Sequence, residues 1–157
     1  SIANYNNAPA VAYAGDNYYL SMVSFNGTSW VSIGDLGDYH TAYTGIGLKI
    51  SENVPHLAFS DYSNSSKASV IRFNGTSWEV LEKRGFSDGT VYNVSLAVEN
   101  GVPYVAYRDT ANSNGLTVMG FVGGTWTAIG NKNITGYQTG SATALCVYNS
   151  APLIIST

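Results

Sequence analysis

The residues best suited to bind a cation form two short runs rich in aspartate, asparagine and serine. Asp61-Tyr62-Ser63-Asn64 and Asp109-Thr110-Ala111-Asn112-Ser113-Asn114-Gly115 offer oxygen ligands of the kind that calcium prefers. Neither run has the EF-hand spacing, and an aspartate at the start of a loop commonly accepts bonds from its own turn. We therefore expect no metal site and no cofactor, with calcium at these loops as the alternative.

Residues that could catalyse a reaction are few and isolated. His40 and His56 occur singly, without a partner at metal-ligand spacing. The only cysteine, Cys146, lies in an apolar run and is expected to be a buried, unreactive thiol. The chain has no serine-nucleophile motif and no phosphate-binding glycine loop. Its three arginines are far apart in the sequence, at Arg72, Arg84 and Arg108. We expect a protein that is not an enzyme.

Composition excludes two classes of partner. The 157-residue chain has a formal net charge of −3, and only 11% of its residues are charged, with the basic ones scattered. A nucleic-acid interface would need a basic stripe. No apolar run reaches the roughly 18 residues that a membrane span requires. The polar surface must therefore consist of Ser, Thr, Asn, Gly and Tyr, which favour strands and turns over helices.

A repeat of about 48 residues organises the whole chain. The segment Phe25-Asn26-Gly27-Thr28-Ser29-Trp30 recurs unchanged at 73–78, and a variant occupies 121–126, so that the tryptophans are spaced by 48 residues. A second marker, a proline before an apolar run, recurs in the same register. These markers are Trp30, Trp78, Trp126, Pro9, Pro55, Pro103 and Pro152. We assign them structural roles: the tryptophan is large enough to pack between sheets, and the proline stands where no ladder donor is needed.

Each repeat is predicted to form four short strands. In the third copy, strands are expected at 95–98, 102–107, 116–121 and 126–129, with a tight turn at Asn100-Gly101 and a polar loop over 108–115. No segment has a helical apolar period. Four strands in about 48 residues is the size of one β-propeller blade. We predict an all-β chain of four-stranded antiparallel blades over 1–42, 43–91 and 92–140, with a partial blade over 141–157; a Greek-key sandwich would not explain the repeat.

The turn before each tryptophan resembles a degenerate Asp-box, the Ser-x-Asp-x-Gly-x-Thr-Trp hairpin of sialidase-like propellers. Ser24-Phe25-Asn26-Gly27-Thr28-Ser29-Trp30 is one residue shorter and has asparagine at the aspartate position. The second strand, Val102-Pro103-Tyr104-Val105-Ala106-Tyr107-Arg108-Asp109, is similar to that of bacterial extracellular propeller repeats. This resemblance implies a fold and not an activity. A sialidase-like reaction would need an arginine cluster, a Tyr–Glu pair and an acid, whereas Arg84 and Arg108 fall in loops of different units.

A ligand is expected at one rim of the blades. The loops between second and third strands, and those from one blade to the next, differ between copies while the strands do not. The candidate ligand-binding residues are Tyr39, His40, Asp61, Tyr62, Arg84, Phe86, Arg108, Asp109 and Tyr137. Tyrosine rings can stack on sugars, and short polar side chains can bond hydroxyls. We therefore predict a non-catalytic recognition module for glycan or protein, with a glycosidase-like propeller as an alternative.

Three and a half blades cannot close a ring and would expose sheet edges. We therefore expect this chain either to be part of a longer protein or to associate with other copies of itself. A further alternative is a structural subunit that assembles through its open ends.

The chain starts at Ser1 without a signal peptide, which fits a mature secreted protein or a piece of a longer one. Asn-x-Ser/Thr sequons fit an extracellular or cell-surface location. They begin at Asn26, Asn64, Asn74, Asn93 and Asn133.

Overall fold

A computed structural model describes residues 1–42, 45–140 and 143–156. The strands of the first sheet are β1 (Ile2–Tyr5), β2 (Ala8–Ala14), β3 (Leu20–Phe25) and β4 (Trp30–Ser32). The second sheet holds β5 (Gly47–Ser51), β6 (Val54–Asp61), β7 (Lys67–Phe73) and β8 (Trp78–Val80). The third holds β9 (Val91–Glu99), β10 (Val102–Asp109), β11 (Gly115–Val122) and β12 (Thr125–Ala128), and the last pair is β13 (Thr143–Tyr148) and β14 (Ala151–Ser156).

Each sheet is a simple antiparallel meander in which strands adjacent in sequence are hydrogen-bonded neighbours. Three sheets have four strands, which we call blades 1 to 3, and β13 and β14 form a two-stranded half-blade 4. The first strands of successive sheets lie side by side, so the sheets are stacked around a common inner edge. In the described ranges, the only helical segments are 3-10 turns at Asp16–Tyr18, Tyr62–Asn64 and Thr110–Asn112. The predicted all-β fold of four-stranded blades is confirmed.

Apolar cores lie between the blades. Ala12 of blade 1 packs in one cluster with Phe59 of blade 2, and Ala58 of blade 2 packs in the next cluster with Tyr107 of blade 3. A third cluster joins blade 3 to Leu145 of the half-blade. Both faces of the second strand are therefore buried in blades 2 and 3, because alternate residues point to opposite neighbours.

The repeated tryptophan ties each blade to the one before it. Trp78 Nε1 donates to the Ile33 carbonyl of blade 1 at 2.8 Å, and Trp126 Nε1 donates to the Leu81 carbonyl of blade 2 at 3.1 Å. Both rings are buried, with 7% and 9% of their surface exposed. Trp30, in the same sequence motif, is 51% exposed, since the structure describes no blade before blade 1. The tryptophan of the motif therefore joins neighbouring blades, and in blade 1 Trp30 remains uncovered.

Two sequence-based expectations are wrong. The polar loop of the third copy does not begin at Arg108, because Arg108 and Asp109 continue β10 and pair with β9 and β11. Cys146 is exposed instead of buried, because its strand lies in the half-blade and faces away from blade 3. An apolar run predicts burial, yet Leu145 is the buried residue of β13 and the alternate face of this strand, with Cys146, is exposed.

The buried His56 predicts a pH-dependent stability. Burial lowers the pKa of this imidazole, as does the nearby Arg72 charge, while a bond to the Val54 carbonyl opposes the shift. The unfolded chain, with a histidine pKa near 6.5, therefore binds more protons than the folded chain as the pH falls below that value. The stabilisation is complete above about pH 6.5 and is lost below it, by at most about 1.4 kcal/mol per pH unit.

Thermal unfolding measured at about pH 7.5 and about pH 5.5 checks this expectation for His56. The His56→Gln variant should lose less stability than the parent chain over that interval, because glutamine does not titrate. An equal acid-induced loss in both proteins would contradict a role for His56.

Candidate functional site

The turns between second and third strands and the linkers between blades meet at one end of the strands, which we call the upper rim. The first linker runs across this rim and pairs with both blades, through Tyr19 with His40 and Thr41 with Asp61. Backbone hydrogen bonds secure it, since Thr41 N donates to the Tyr18 carbonyl and Tyr62 N donates to the His40 carbonyl. The side chains of three chain segments are thereby brought together between blades 1 and 2.

An open cleft of about 380 Å³ lies at this junction, and we call it the aromatic cleft. Tyr18 and Tyr62 are 63% and 65% exposed, and Tyr19 is also exposed. The His40 ring lies between two of these rings, 5.2 Å from Tyr19 in an edge-on arrangement and 4.9 Å from Tyr62. Its Nδ1 is 3.1 Å from the Asp38 carbonyl, which orients the imidazole. The complete lining is Asn17, Tyr18, Tyr19, His40, Thr41, Ala42 and Tyr62.

Tyr18 occupies a backbone conformation that a bulky residue rarely adopts. Its φ is 64°, and that of Asn17 is 54°, both in the left-handed region. The corresponding pairs in the other copies are Ser65-Ser66 and Ser113-Asn114, also with positive φ. Serine and asparagine tolerate this region better than tyrosine, for which it costs roughly 1–2 kcal/mol. The exposed Tyr18 ring is therefore held at a cost in stability, a pattern typical of functional sites.

The junction between blades 2 and 3 has the same backbone and different side chains. Val91 N donates to the Ser66 carbonyl and Thr110 N donates to the Thr90 carbonyl, so that Ser66, Thr90 and Thr110 take the places of Tyr18, His40 and Tyr62. The scaffold is repeated, whereas non-aromatic residues stand at the second junction in the places of Tyr18, His40 and Tyr62. Packing of the blades does not require those rings.

A buried ion pair supports the aromatic cleft from below. The Asp61 side chain is fully buried and receives two bonds from Arg84, Nε to Oδ2 at 2.7 Å and Nη2 to Oδ1 at 2.8 Å. The Asp61 carboxylate also accepts from Ser69 Oγ at 2.8 Å and Asn64 Nδ2 at 3.0 Å. The hydrogen bond to Asp61 raises the pKa of Arg84 further above its ordinary value, so this guanidinium stays charged. Asp61 directly precedes Tyr62, so the pair fixes one wall of the cleft.

Tyr39 joins this pair from the linker. The Arg84 guanidinium lies 4.7 Å from the centre of the Tyr39 ring, and the ring packs edge-on against Phe59 at 6.0 Å. Burial raises the pKa of the Tyr39 hydroxyl. Arg84 also approaches the exposed Asp38 carboxylate at 3.7 Å. The structure therefore places Tyr39, Asp61 and Arg84 in one support network, with His40 and Tyr62 in the cleft above it.

The remaining candidate residues lie away from the aromatic cleft. Phe86 is buried and stacks on Trp126 at 4.1 Å. Asp109 is fully buried and accepts from Ala111 N, Asn112 Nδ2 and Thr117 Oγ1. The Arg108 guanidinium lies 4.5 Å above the Tyr92 ring, and Tyr137 is highly exposed on the last linker. A role for these four in ligand binding remains a prediction, and the burial of Phe86 and Asp109 favours structural roles.

The two runs considered for calcium have their aspartates engaged in bonds within the protein. Asp61 is neutralised by Arg84, and Asp109 is held by its own turn and by Thr117. Within 1–42, 45–140 and 143–156, no group of three or more His, Cys, Asp or Glu side chains is placed to hold a metal ion. A calcium ion at either run would have to replace these bonds.

Among the aromatic rings of the cleft, the sequence-based candidates lacked two, Tyr18 and Tyr19. The signal available was the run Asn17-Tyr18-Tyr19, which replaces the Ser-rich segment of the other two copies. Trp30 follows Pro9 by 21 residues, whereas Trp78 follows Pro55 by 23, and no tyrosine of the first copy stands at the repeat position of Tyr62 and Thr110. Only the folded linker shows that the Tyr19 and Tyr62 rings flank the same histidine.

Two lectins and one enzyme are among the solved structures to which this fold is similar. A fucose lectin from Kordia zhangzhouensis, in complex with methyl-fucoside, superposes with a TM-score of 0.58 at 11% identity, over 83% of this chain and 96% of the lectin. A mutant of the Aleuria aurantia lectin, in complex with Fucα1-6GlcNAc, gives 0.63 at 13% identity, over 99% of this chain and 52% of the lectin. A GH32 β-fructofuranosidase from Bombyx mori gives 0.52 at 8% identity, over 99% of this chain and 41% of the enzyme.

These similarities show the fold. The chain is built of β-propeller blades, and it spans about half the length of the Aleuria lectin that it matches. No protein-family model and no curated protein matches the sequence, so the Asp-box resemblance identifies no family. Among the described residues, no helix is long and apolar enough to cross a membrane.

Proposed function

We propose that this chain is a non-catalytic recognition module that binds neutral sugars in the aromatic cleft between blades 1 and 2. The observation that carries the proposal is the convergence of Tyr18, Tyr19 and Tyr62 around His40, at a junction whose structural counterpart has none of these rings. Exposed aromatic rings offer flat apolar surfaces to the C–H faces of a sugar. The Asn17 amide and the His40 imidazole supply hydrogen-bonding groups for its hydroxyls.

The size and charge of the cleft favour a small neutral ligand over a protein or an acidic sugar. About 380 Å³ is typical of small-molecule sites, whereas a stable protein partner covers about 800 Å² of surface on each side. Aspartate, glutamate, lysine and arginine are absent from the lining described above, so nothing there neutralises a carboxylate. The two lectin structures, described with methyl-fucoside and with Fucα1-6GlcNAc, support a sugar as the class of ligand.

The same lining argues for binding without hydrolysis. Glycoside hydrolysis commonly needs two carboxyl groups about 5–10 Å apart across the scissile bond. No carboxylate is found among the cleft residues that the structure describes, and Asp61 beneath them is bound to Arg84. Arg72 pairs with Glu79 in blade 2, and Arg108 lies on Tyr92 in blade 3, so the arginines do not form one cluster.

Isothermal titration of the 157-residue chain with methyl-fucoside and with Fucα1-6GlcNAc, followed by a panel of neutral monosaccharides, tests the proposal. We expect saturable binding of at least one of these probes, with no release of free sugar from the disaccharide. Flat titrations for every probe would overturn the proposed function. We also propose an extracellular or cell-surface location, supported by the five sequons.

A second candidate function, assembly through blade faces, is favoured by the exposed Trp30. In blades 2 and 3 the face that carries the tryptophan and the aromatic residue of the second strand is buried, at Trp78 and Phe59 for example. In blade 1 the same face exposes Trp30 and Tyr13. Since this surface packs on another blade at both other junctions, we propose that a blade of a second copy covers it.

Light scattering over a concentration series tests the assembly. The parent chain is expected to grow in molar mass with concentration, and Trp30→Ser should shift this growth to higher concentration because the anchor is removed. Thr28→Ser, in the neighbouring exposed turn, is the matched control. A chain that stays monomeric at all concentrations would exclude a second copy as the occupant.

A further inference from the structure

A second cleft lies at the opposite end of blade 1, where the β1–β2 and β3–β4 turns meet. It has a volume of about 470 Å³, and we call it the lower cleft. The residues used below are Tyr5, Asn7, Phe25, Asn26 and Val31, which all line it. The seven residues of β2 separate this end of the blade from the aromatic cleft, a distance of about 20 Å. One ligand of monosaccharide size cannot reach both clefts.

The lower cleft exists because one row of side chains across blade 1 is small. In this row Ala10 pairs with Ser24, and Ser24 pairs with Val31 on β4. The same row in blade 2 is His56, Arg72 and Glu79. There Arg72 Nε donates to Glu79 Oε1 at 2.6 Å, and Asn74 bonds the same carboxylate, so the space is filled by a charged network.

Blade 3 fills the corresponding space in another way. Its row is Tyr104, Gly120 and Thr127, and the Tyr104 ring lies so close to Gly120 that an added Cβ would meet it at 3.1 Å. A bulky aromatic ring thus covers the sheet where blade 1 has Ala10. Both other blades occupy this space with their own side chains, whereas blade 1 leaves it open.

Polar groups in the lower cleft are available to a ligand. Within the residues that the structure describes, the Asn7 amide and the Tyr5 hydroxyl have no hydrogen-bond partner. The Asn26 Oδ1 atom accepts from Thr28 N and Ser29 N, and its Nδ2 group is a donor when the sequon that begins at Asn26 carries no glycan. No charged residue lines the cleft, and Phe25 and Val31 provide apolar contact surface.

We propose that the lower cleft is a second binding site for a neutral sugar residue. The amide groups of the cleft can donate to and accept from the hydroxyl and acetamido groups of a sugar, and its aromatic and aliphatic side chains can contact the C–H groups of the sugar ring. Its occupant is an N-acetylated sugar, because the acetamido group matches the free Asn7 amide and its methyl matches Val31. The inference stands on different residues from those of the aromatic cleft and does not depend on that site. A chain with a sugar site at each rim could bridge two glycans.

Side-chain amide NMR with N-acetylglucosamine as the probe, and glucose as the comparison, tests the lower cleft. N-acetylglucosamine is expected to shift the Asn7 and Asn26 amide signals in a saturable way, and glucose is expected to shift them less. The double variant Ser24→Arg with Val31→Glu should abolish these shifts, because it installs the pair that fills the same row in blade 2. That pair is already accepted by this fold, and the melting temperature checks the variant.

A second variant tests the loss of a hydrogen-bonding side chain without filling the lower cleft. Asn7→Gly removes the amide without strain, because φ is 59° at this position and glycine adopts it freely. It should weaken N-acetylglucosamine binding about tenfold, equivalent to about 1.4 kcal/mol. Tyr62→Thr, in the aromatic cleft, should leave the Asn7 shifts unchanged.

Three outcomes would overturn the lower site: no shift of Asn7 or Asn26 with either sugar, equal shifts in the Ser24→Arg/Val31→Glu variant, or shifts lost on Tyr62→Thr. The last of these would mean that the sugar binds only at the upper rim. Shifts at Asn7 and Asn26 that Tyr62→Thr leaves unchanged, together with titrations that replacement of Tyr18 and Tyr62 does not weaken for any probe, would refute the proposed function and support this inference.

Discussion

Replacing Tyr62 with threonine and Tyr18 with asparagine together is expected to weaken sugar binding in the aromatic cleft by about 100-fold. Each ring offers a large apolar surface to the ligand, and loss of one such contact is worth about 1.5 kcal/mol, or roughly tenfold in affinity. These two rings are more exposed than the Tyr19 ring, so a ligand would bury more of their surface.

The same double variant should fold at least as well as the parent chain. Threonine is the residue at the corresponding position of the next junction, Thr110, and asparagine is found in place of Tyr18 in blade 3, at Asn114. Asparagine tolerates the positive φ of position 18 better than tyrosine, so the melting temperature should stay equal or rise. A loss of binding together with equal or higher stability identifies the rings as functional.

Titration with the sugar that binds the parent chain, and thermal unfolding of both proteins, check these expectations. The control is Thr110→Ala at the second junction, which should change the affinity by less than about twofold because that junction lacks the aromatic rings. If the double variant bound the sugar as tightly as the parent chain, the site would lie elsewhere on the blades.

Asp61→Asn is expected to lower the free energy of unfolding by about 3–5 kcal/mol. The substitution removes the fully buried carboxylate that Arg84 binds and leaves this guanidinium only the exposed Asp38 carboxylate, at 3.7 Å. Removal of one partner from a buried ion pair is more damaging than replacement of both, because the remaining charge stays desolvated. The bonds from Ser69 and Asn64 are disturbed as well.

The matched control is Asp109→Asn in blade 3. Asp109 occupies the same strand position as Asp61, is equally buried and also accepts from an asparagine and a hydroxyl. In its linker Lys132 replaces Arg84, and Lys132 pairs with Asp88 instead of with Asp109. Its substitution should cost about 1–3 kcal/mol, the value for a disturbed buried hydrogen-bond network. Urea unfolding of the two variants compares them directly. Equal losses would show that Arg84 adds nothing to the stability of blade 2.

Asp61→Asn should also weaken sugar binding, because the bonds of the Asp61 carboxylate to Arg84 and Ser69 hold the residue that directly precedes Tyr62 of the aromatic cleft. Asp109→Asn should leave the affinity for the sugar unchanged. This difference distinguishes a positioning role of Asp61 from a general loss of stability.

The amino-acid sequence by itself determined the architecture of the blades. The tryptophans recur at equal spacing, at Trp30, Trp78 and Trp126, because each blade must present the same anchor to its neighbour. The repeat can therefore be recognised from the amino-acid sequence alone. Strand bounds followed from alternating apolar residues and from turns such as Asn100-Gly101, which are local signals. Since a meander pairs only strands adjacent in sequence, local signals were enough to predict the topology.

Only the tertiary structure decided which side chains share a site. His40 meets Tyr19 and Tyr62 because a linker crosses from blade 1 to blade 2, and no local pattern records that path. The burial of Asp61 against Arg84 and the exposure of Cys146 likewise depend on which blade face has a neighbour. A sequence repeat describes what the blades have in common. Sites and exposed faces arise where neighbouring blades differ, and the effect of such a difference depends on which side chains lie together once the blades are stacked.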